Sequence, residues 1–345
     1  MSIHRRTLIA GATMLLAPGL RVGHAAEGEL TGAGGNTIRP VMAGWLEANP
    51  SVLGQKIVYN GIGTPRATSL ILAGTCDFAI LEVPINDQQL ELANLYQFPL
   101  AFASIVFVVN IPGIATNQLA LTGQLLGGIY SGTIKKWNDP KIVAANPGLA
   151  LPDLEIRPFY HGDVTGQSFT DTIGVTSYLL AANADWRDKF GATVPRRWTP
   201  ASMSVSGDTI TNTVKALDGA IAYLPLGAAV SAKLAVVAKK DDKGKTVVAD
   251  AESLRAAVAA VDWAKALTSG VKLIDLPGEG VWPIVLASYG VIPRDLKAKP
   301  AGPAVHAFFK FALTAGAEIS KKRGGEPLPA EARTRVLAQL DKFMA

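Results

Sequence analysis

Thr31-Gly32-Ala33-Gly34-Gly35-Asn36-Thr37-Ile38-Arg39-Pro40 reads as a Gly/Thr-rich loop set directly before Val41, Met42, Trp45 and Leu46, apolar residues that recur at helical spacing. Two more loops of this kind follow, 60–66 and 161–168, each again just before a helix-like run. A short β-like run, 56–59, precedes the second loop, and a helix-like 67–73 and an apolar strand, 77–82, come after it. Strand, loop, helix, strand is the order of parallel α/β structure. The first N–H groups of a helix have no partner inside it, and the helix dipole places partial positive charge there. Each loop can therefore aim backbone donors and small hydroxyls at one anion. Two such loops near the N-terminus and one about a hundred residues later predict two lobes closing on a small ligand.

The remainder of the chain repeats the logic. Residues 103–110 form a continuous β-branched run, as in a strand buried on both faces, and Ile111-Pro112-Gly113 stops it, so a crossing between lobes is expected there. A strand at 155–160, the third loop and a helix at 168–182 follow, then a strand at 219–224 that Pro225 ends at the start of another helix. The polar run 239–245 reads as a solvated turn. Residues 282–292 look like a strand returning to the first lobe, with helices at 304–315 and 330–343 packing on it. The expected fold is α/β and two-lobed, each lobe a mixed sheet flanked by helices, joined by two crossover strands. Lobe I takes residues 26–108 and 283–345, and lobe II takes 109–282.

Composition narrows the function. Arg5-Arg6, the apolar run 7–17 and the small residues at Gly23-His24-Ala25 describe a secretory signal over residues 1–25, with ordinary Sec export ahead of a twin-arginine route. The mature protein is expected to be exported to the periplasm and soluble. Removing Arg5, Arg6 and Arg21 with the leader takes the formal charge from +5 to +2, and no basic face interleaved with aromatics appears, which argues against nucleic acid. The single cysteine, Cys76, reads as a small core residue and excludes an internal disulfide, and His161 and His306 are too few for a Cys/His metal site. No cofactor is implied. Trp137, Trp282 and the Phe308-Phe309-Phe311 group read as core.

Leu30-Thr31-Gly32-Ala33-Gly34-Gly35, Tyr59-Asn60-Gly61-Ile62-Gly63, Gln97-Phe98-Pro99, Val109-Asn110-Ile111-Pro112-Gly113, Ile134-Lys135-Lys136-Trp137-Asn138-Asp139, Gly219-Ala220-Ile221-Ala222-Tyr223 and Trp282-Pro283-Ile284 occur in this order along the chain. In that ordered combination the sequence resembles the PstS-type phosphate-binding proteins of bacterial ABC importers over essentially the whole mature length. The resemblance implies a periplasmic binding protein of type II-like architecture, working as a monomer, that dehydrates phosphate or a related protonated oxyanion between its lobes. It also implies a membrane ABC permease and its ATPase as partners. A different ligand, an organophosphate or a less charged molecule, and a surface protein without a transport role are the alternatives.

The resemblance assigns a pocket residue by residue. Asn36 and Thr37 match the first loop's contacts, Thr64 matches a serine of the second, and Glu82 matches the carboxylate that accepts the proton of a hydrogen phosphate. In the third loop, His161-Gly162-Asp163-Val164-Thr165-Gly166-Gln167-Ser168, histidine stands at the family's arginine position and Gln167 replaces a hydroxyl; Thr165, Gly166 and Gln167 are candidate ligand contacts, and Asp163 reads as an orienter rather than a ligand contact. Histidine lacks arginine's permanent charge and fork of donors. Arg66, two residues after Thr64, is either the replacement cation or a surface residue of the first helical turn, and His161 is either a ligand contact or a brace hydrogen-bonded to Asp163. His161, Asp163 and Ser168 offer the residue types of a hydrolase triad, but they crowd one loop and no Gly-x-Ser-x-Gly elbow accompanies them, so no enzyme is expected.

Overall fold

The computed structural model describes residues 28–162, 170–191, 202–204, 207–240, 244–263 and 273–345. The leader expected at 1–25 lies outside them. Eight strands build the frame: β1 (Glu29–Gly34), β2 (Gln55–Gly61), β3 (Phe78–Leu81), β4 (Leu95–Val109), β5 (Arg157–His161), β6 (Ala220–Pro225), β7 (Val285–Pro293) and β8 (Gly325–Pro327). Shorter strands extend the edges. Three helices matter to the site: α1 (Arg39–Ala48), α2 (Thr64–Leu72) and α3 (Thr170–Ala182).

The main path runs Ser51–Val52, β2, β1, β3, β7, β4, β6, β5, Ser202–Ser204. β1 is parallel to β2 and β3, and β5 is parallel to β6, whereas β7 and β4 run antiparallel to their neighbours, so both sheets are mixed. The glycine-rich 31–34 stretch, expected as loop, is strand: β1 is paired on both sides, Thr31 with Val58 and Gly34 with both Gly61 and Ile80. Two ladders of backbone hydrogen bonds outweigh the weak strand propensity of glycine.

β4 is the crossing. Its fifteen residues begin eight positions earlier than the β-branched run suggested. Residues 95–104 pair with β7, and from Ile105 onward the same strand pairs with β6. Pro99 cannot donate to the ladder, and the register slips opposite it, between Ser288 and Tyr289. At the switch the Ile105 N–H donates to the Ile284 carbonyl (2.9 Å) and the Trp282 indole N–H donates to the Ile105 carbonyl (2.8 Å), which ties both crossing segments together.

Apolar helices cover both faces. Phe78 from β3 packs against Phe308 (4.9 Å between centroids) and Phe309 (5.5 Å) of the helix Gly302–Leu313, with Trp45 of α1 edge-on to Phe308. Phe308 and Phe309 are wholly buried, as are Trp137 and Trp282, while Phe311 is half-buried at the margin. Cys76 is half-buried, and burial pushes its thiol up to about 12, so it is inert rather than nucleophilic. At the two ends of the polar run, Ala238–Lys240 pairs antiparallel with Thr246–Val247. Among the described residues no helix is long and apolar enough to cross a membrane.

Candidate functional site

The first two loops meet at the carboxyl ends of β1, β2 and β3, where ligands of parallel α/β sheets bind. The Gly35 N–H donates to the Ile80 carbonyl and the Gly63 N–H to the Gly34 carbonyl, both at 3.0 Å, so the loops are knitted to each other. Gly63 sits at φ +86°, a left-handed conformation that favours glycine, and it leads into α2 without a side-chain cap. The first donors of α2 thus face outward beside the Thr64 hydroxyl. Gly35 is required for a different reason. A Cβ there would lie 2.3 Å from Cδ of Glu82, so only glycine lets the Glu82 carboxyl pack against the loop.

Glu82 follows β3 and is half-buried as a residue. Its Oε1 accepts the Thr37 N–H at 2.5 Å, and its own N–H donates to the Thr64 hydroxyl at 3.1 Å. Burial pushes the carboxyl above the usual range, opposed by hydrogen bonds from the Thr37 N–H and hydroxyl; the nearby Asp171 charge raises it further and the Thr170 hydroxyl lowers it. Thr170 and Asp171 belong to α3, so Glu82 is touched from the facing lobe. The Tyr59 phenol, which donates to the Gly35 carbonyl at 3.1 Å, is kept neutral by burial and by Glu82.

On that facing lobe His161 ends β5. Its N–H donates to the Tyr223 hydroxyl (3.1 Å), its carbonyl accepts the Thr172 hydroxyl, and Thr172 and Tyr223 share a 2.6 Å hydrogen bond. Its Nδ1 lies 3.0 and 3.2 Å from the two Asp171 carboxylate oxygens, and both residues are 6% exposed. Asp171, the second residue of α3, thus braces His161, while the brace expected from Asp163 falls outside the described residues. The Asp171 Oδ1 also accepts the Thr172 N–H at 2.8 Å.

Asn36, Thr37, Thr64, Glu82 and His161 line one cavity of about 1290 Å³, together with Thr170 and Asp171. Arg66 does not. It is exposed on the outer side of α2's first turn, and the cations on the cavity wall are Arg39, the first residue of α1, with Lys321, Lys322 and Arg323, among the described residues. Asp163, Thr165, Gly166 and Gln167, with Ser168, lie outside the described residues. Arg39 had a signal in the sequence: a cation in the first turn opposes the helix dipole and calls for an anion nearby. Asp171 had none, because an acid in a first helical turn is ordinary.

Residues 22–315 match the family model for the PBP superfamily domain. The chain is 32% identical over 301 residues to the phosphate-binding protein PstS of Xylella fastidiosa, covering 87% of this chain and 82% of that protein. It is 31% identical over 310 residues to PstS of Haemophilus influenzae, covering 90% and 92%. Among solved structures, a high-affinity periplasmic phosphate-binding protein, PfluDING, superposes with a TM-score of 0.69 at 16% identity over 90% of this chain and 93% of that one. A phosphate-binding protein of Stenotrophomonas maltophilia gives 0.63 at 18% identity, with the same coverage. These structures share the two-lobed fold. By its sequence the chain belongs to the PBP superfamily and, within it, to the PstS phosphate-binding proteins.

Proposed function

We propose that this chain is an exported, periplasmic solute-binding protein that captures inorganic phosphate between its lobes and delivers it to a membrane ABC permease with its ATPase. It works as a monomer and catalyses no reaction. The leader at 1–25 directs ordinary Sec export, and residues 26–108 with 283–345 close against 109–282. The observation that carries the reading is the convergence, on one cavity, of the Thr37 and Thr64 loops with the uncapped start of α2 from one lobe and of His161 and Thr170 from the other. Glu82 stands among these donors as the acceptor for a ligand proton, which favours hydrogen phosphate over sulfate, an ion with no proton to share at neutral pH.

Asn36, Thr37, Thr64, Glu82 and His161 are the assigned contacts, Arg39 rather than Arg66 supplies the pocket cation, and Thr165, Gly166 and Gln167 complete the pocket with Asp163 as orienter. Calorimetric titration with phosphate, arsenate and sulfate tests the reading. Phosphate and arsenate should bind at micromolar concentration or tighter and sulfate should not; a protein indifferent to all three has another ligand. In the same assay Arg39→Ala should weaken phosphate in a salt-dependent way, while Arg66→Ala should leave it unchanged.

A further inference from the structure

The pocket holds two carboxylates where one would suffice to read a proton. Glu82 comes from the end of β3 and Asp171 from the first turn of α3, and both line the cavity. They are near enough that the Asp171 charge acts on Glu82, and Thr170, the residue before Asp171, hydrogen-bonds the Glu82 carboxyl. Asp171 engages His161 through both oxygens. An imidazolium beside a carboxylate sums to zero, and a neutral imidazole beside one sums to minus one. An arginine in its place would keep the pair neutral at every pH, whereas with histidine the pair turns negative once the imidazole gives up its proton.

Among the described residues, the other groups facing this pair add mostly offset charge from exposed positions. The Tyr59 and Tyr223 phenols are held neutral by burial. Arg39 contributes one positive charge from an exposed position on the wall, and Asp208 on the same cavity offsets it. Lys321, Lys322 and Arg323 line the cavity too; Lys321 is paired to Glu318 and Arg323 to Glu47, and Lys322 adds one exposed positive charge. A carboxylate beside an oxyanion is repulsive unless a proton lies between them. Two carboxylates ask for two protons.

We propose, resting on the phosphate reading above, that Asp171 is a specificity-determining residue that makes this cleft select the doubly protonated, singly charged form of phosphate. Dihydrogen phosphate brings a proton for each carboxylate. Monohydrogen phosphate brings one and leaves one repulsive contact unbridged. Sulfate brings none.

Calorimetric titration of the mature protein with inorganic phosphate from about pH 5.5 to 8.5, a range centred near the ordinary histidine value, tests this. The wild-type association constant should fall about tenfold per pH unit once the second proton of phosphate begins to leave, because only the singly charged fraction binds. Above neutrality each bound phosphate should take up one proton, read from the heats in buffers of different ionisation enthalpy. Asp171→Asn leaves one carboxylate, so its profile should flatten and its proton uptake should vanish; Asp171→Asn combined with Glu82→Gln should admit sulfate. Parallel profiles in wild type and Asp171→Asn overturn the inference. Should the variant fail to fold, a flat wild-type profile without proton uptake overturns it alone. Phosphate binding with such a flat profile leaves the proposed function standing, whereas a folded wild type that binds no phosphate at any pH removes both.

Discussion

The Thr64 hydroxyl accepts the Glu82 N–H at 3.1 Å, which leaves its own proton to point into the cleft. On the proposed reading, one oxygen therefore both fixes the backbone that carries the acid and donates to the anion. Thr64→Ala should lose a hydrogen bond to a charged ligand, about 1.5 to 3 kcal/mol or roughly ten- to hundredfold in phosphate affinity. It should also lower the stability of the ligand-free protein by about 1 kcal/mol, because the Glu82 N–H loses its acceptor. Thr64→Ser keeps the oxygen and should restore both. Titration calorimetry and thermal melting without ligand check the two halves separately, and an affinity unmoved by the alanine would place Thr64 outside the site.

At the scale of elements, the site depends on how tightly three strand ends and two helix starts are drawn together. Gly35 lies where the turn from β1 to α1 touches the Glu82 carboxyl. Gly35→Ala should push that carboxyl away from the Thr37 N–H, and phosphate affinity should drop by tenfold or more while β1, paired on both sides, stays in place. A variant with wild-type affinity would show that the carboxyl position is unimportant.

This is also where the sequence spoke most and least clearly. Loops before helices, and the alternation of strand and helix, were legible because glycine, proline and apolar spacing are local signals. Thr37, Thr64, Glu82 and His161 could be named from their motifs, and the structure brings them to one cavity. The His161–Asp171 pairing was not legible, since it depends on how the start of α3 sits against the end of β5, a matter of tertiary packing. The choice between the two readings of Arg66 was not legible for a related reason: which side of a helix's first turn faces the ligand is set by the entry angle of the chain, and no residue type reports it. The early start of β4 escaped because Gln97-Phe98-Pro99 carries a proline, which reads as a break until the register slip around it is seen.

For the whole molecule, the two lobes proposed to grip one ligand are joined where β4 changes partners and where 282–285 returns. Binding should close them about that pair of segments. Small-angle scattering with and without saturating phosphate should show a smaller radius of gyration in the bound protein; identical curves would rule out a clamp that opens and closes.

β7, encoded near the end of the chain, lies between β3 and β4, with Tyr289 paired to Leu81 on one side and to Pro99 on the other. While a ribosome is still making the protein, the first lobe is a split sheet with two bare edges and no strand to fill the gap. Pairings between residues so far apart in sequence form slowly, and unfilled edges invite other chains. The first lobe cannot complete its sheet until nearly all of the chain exists, so the lobe made first is finished last.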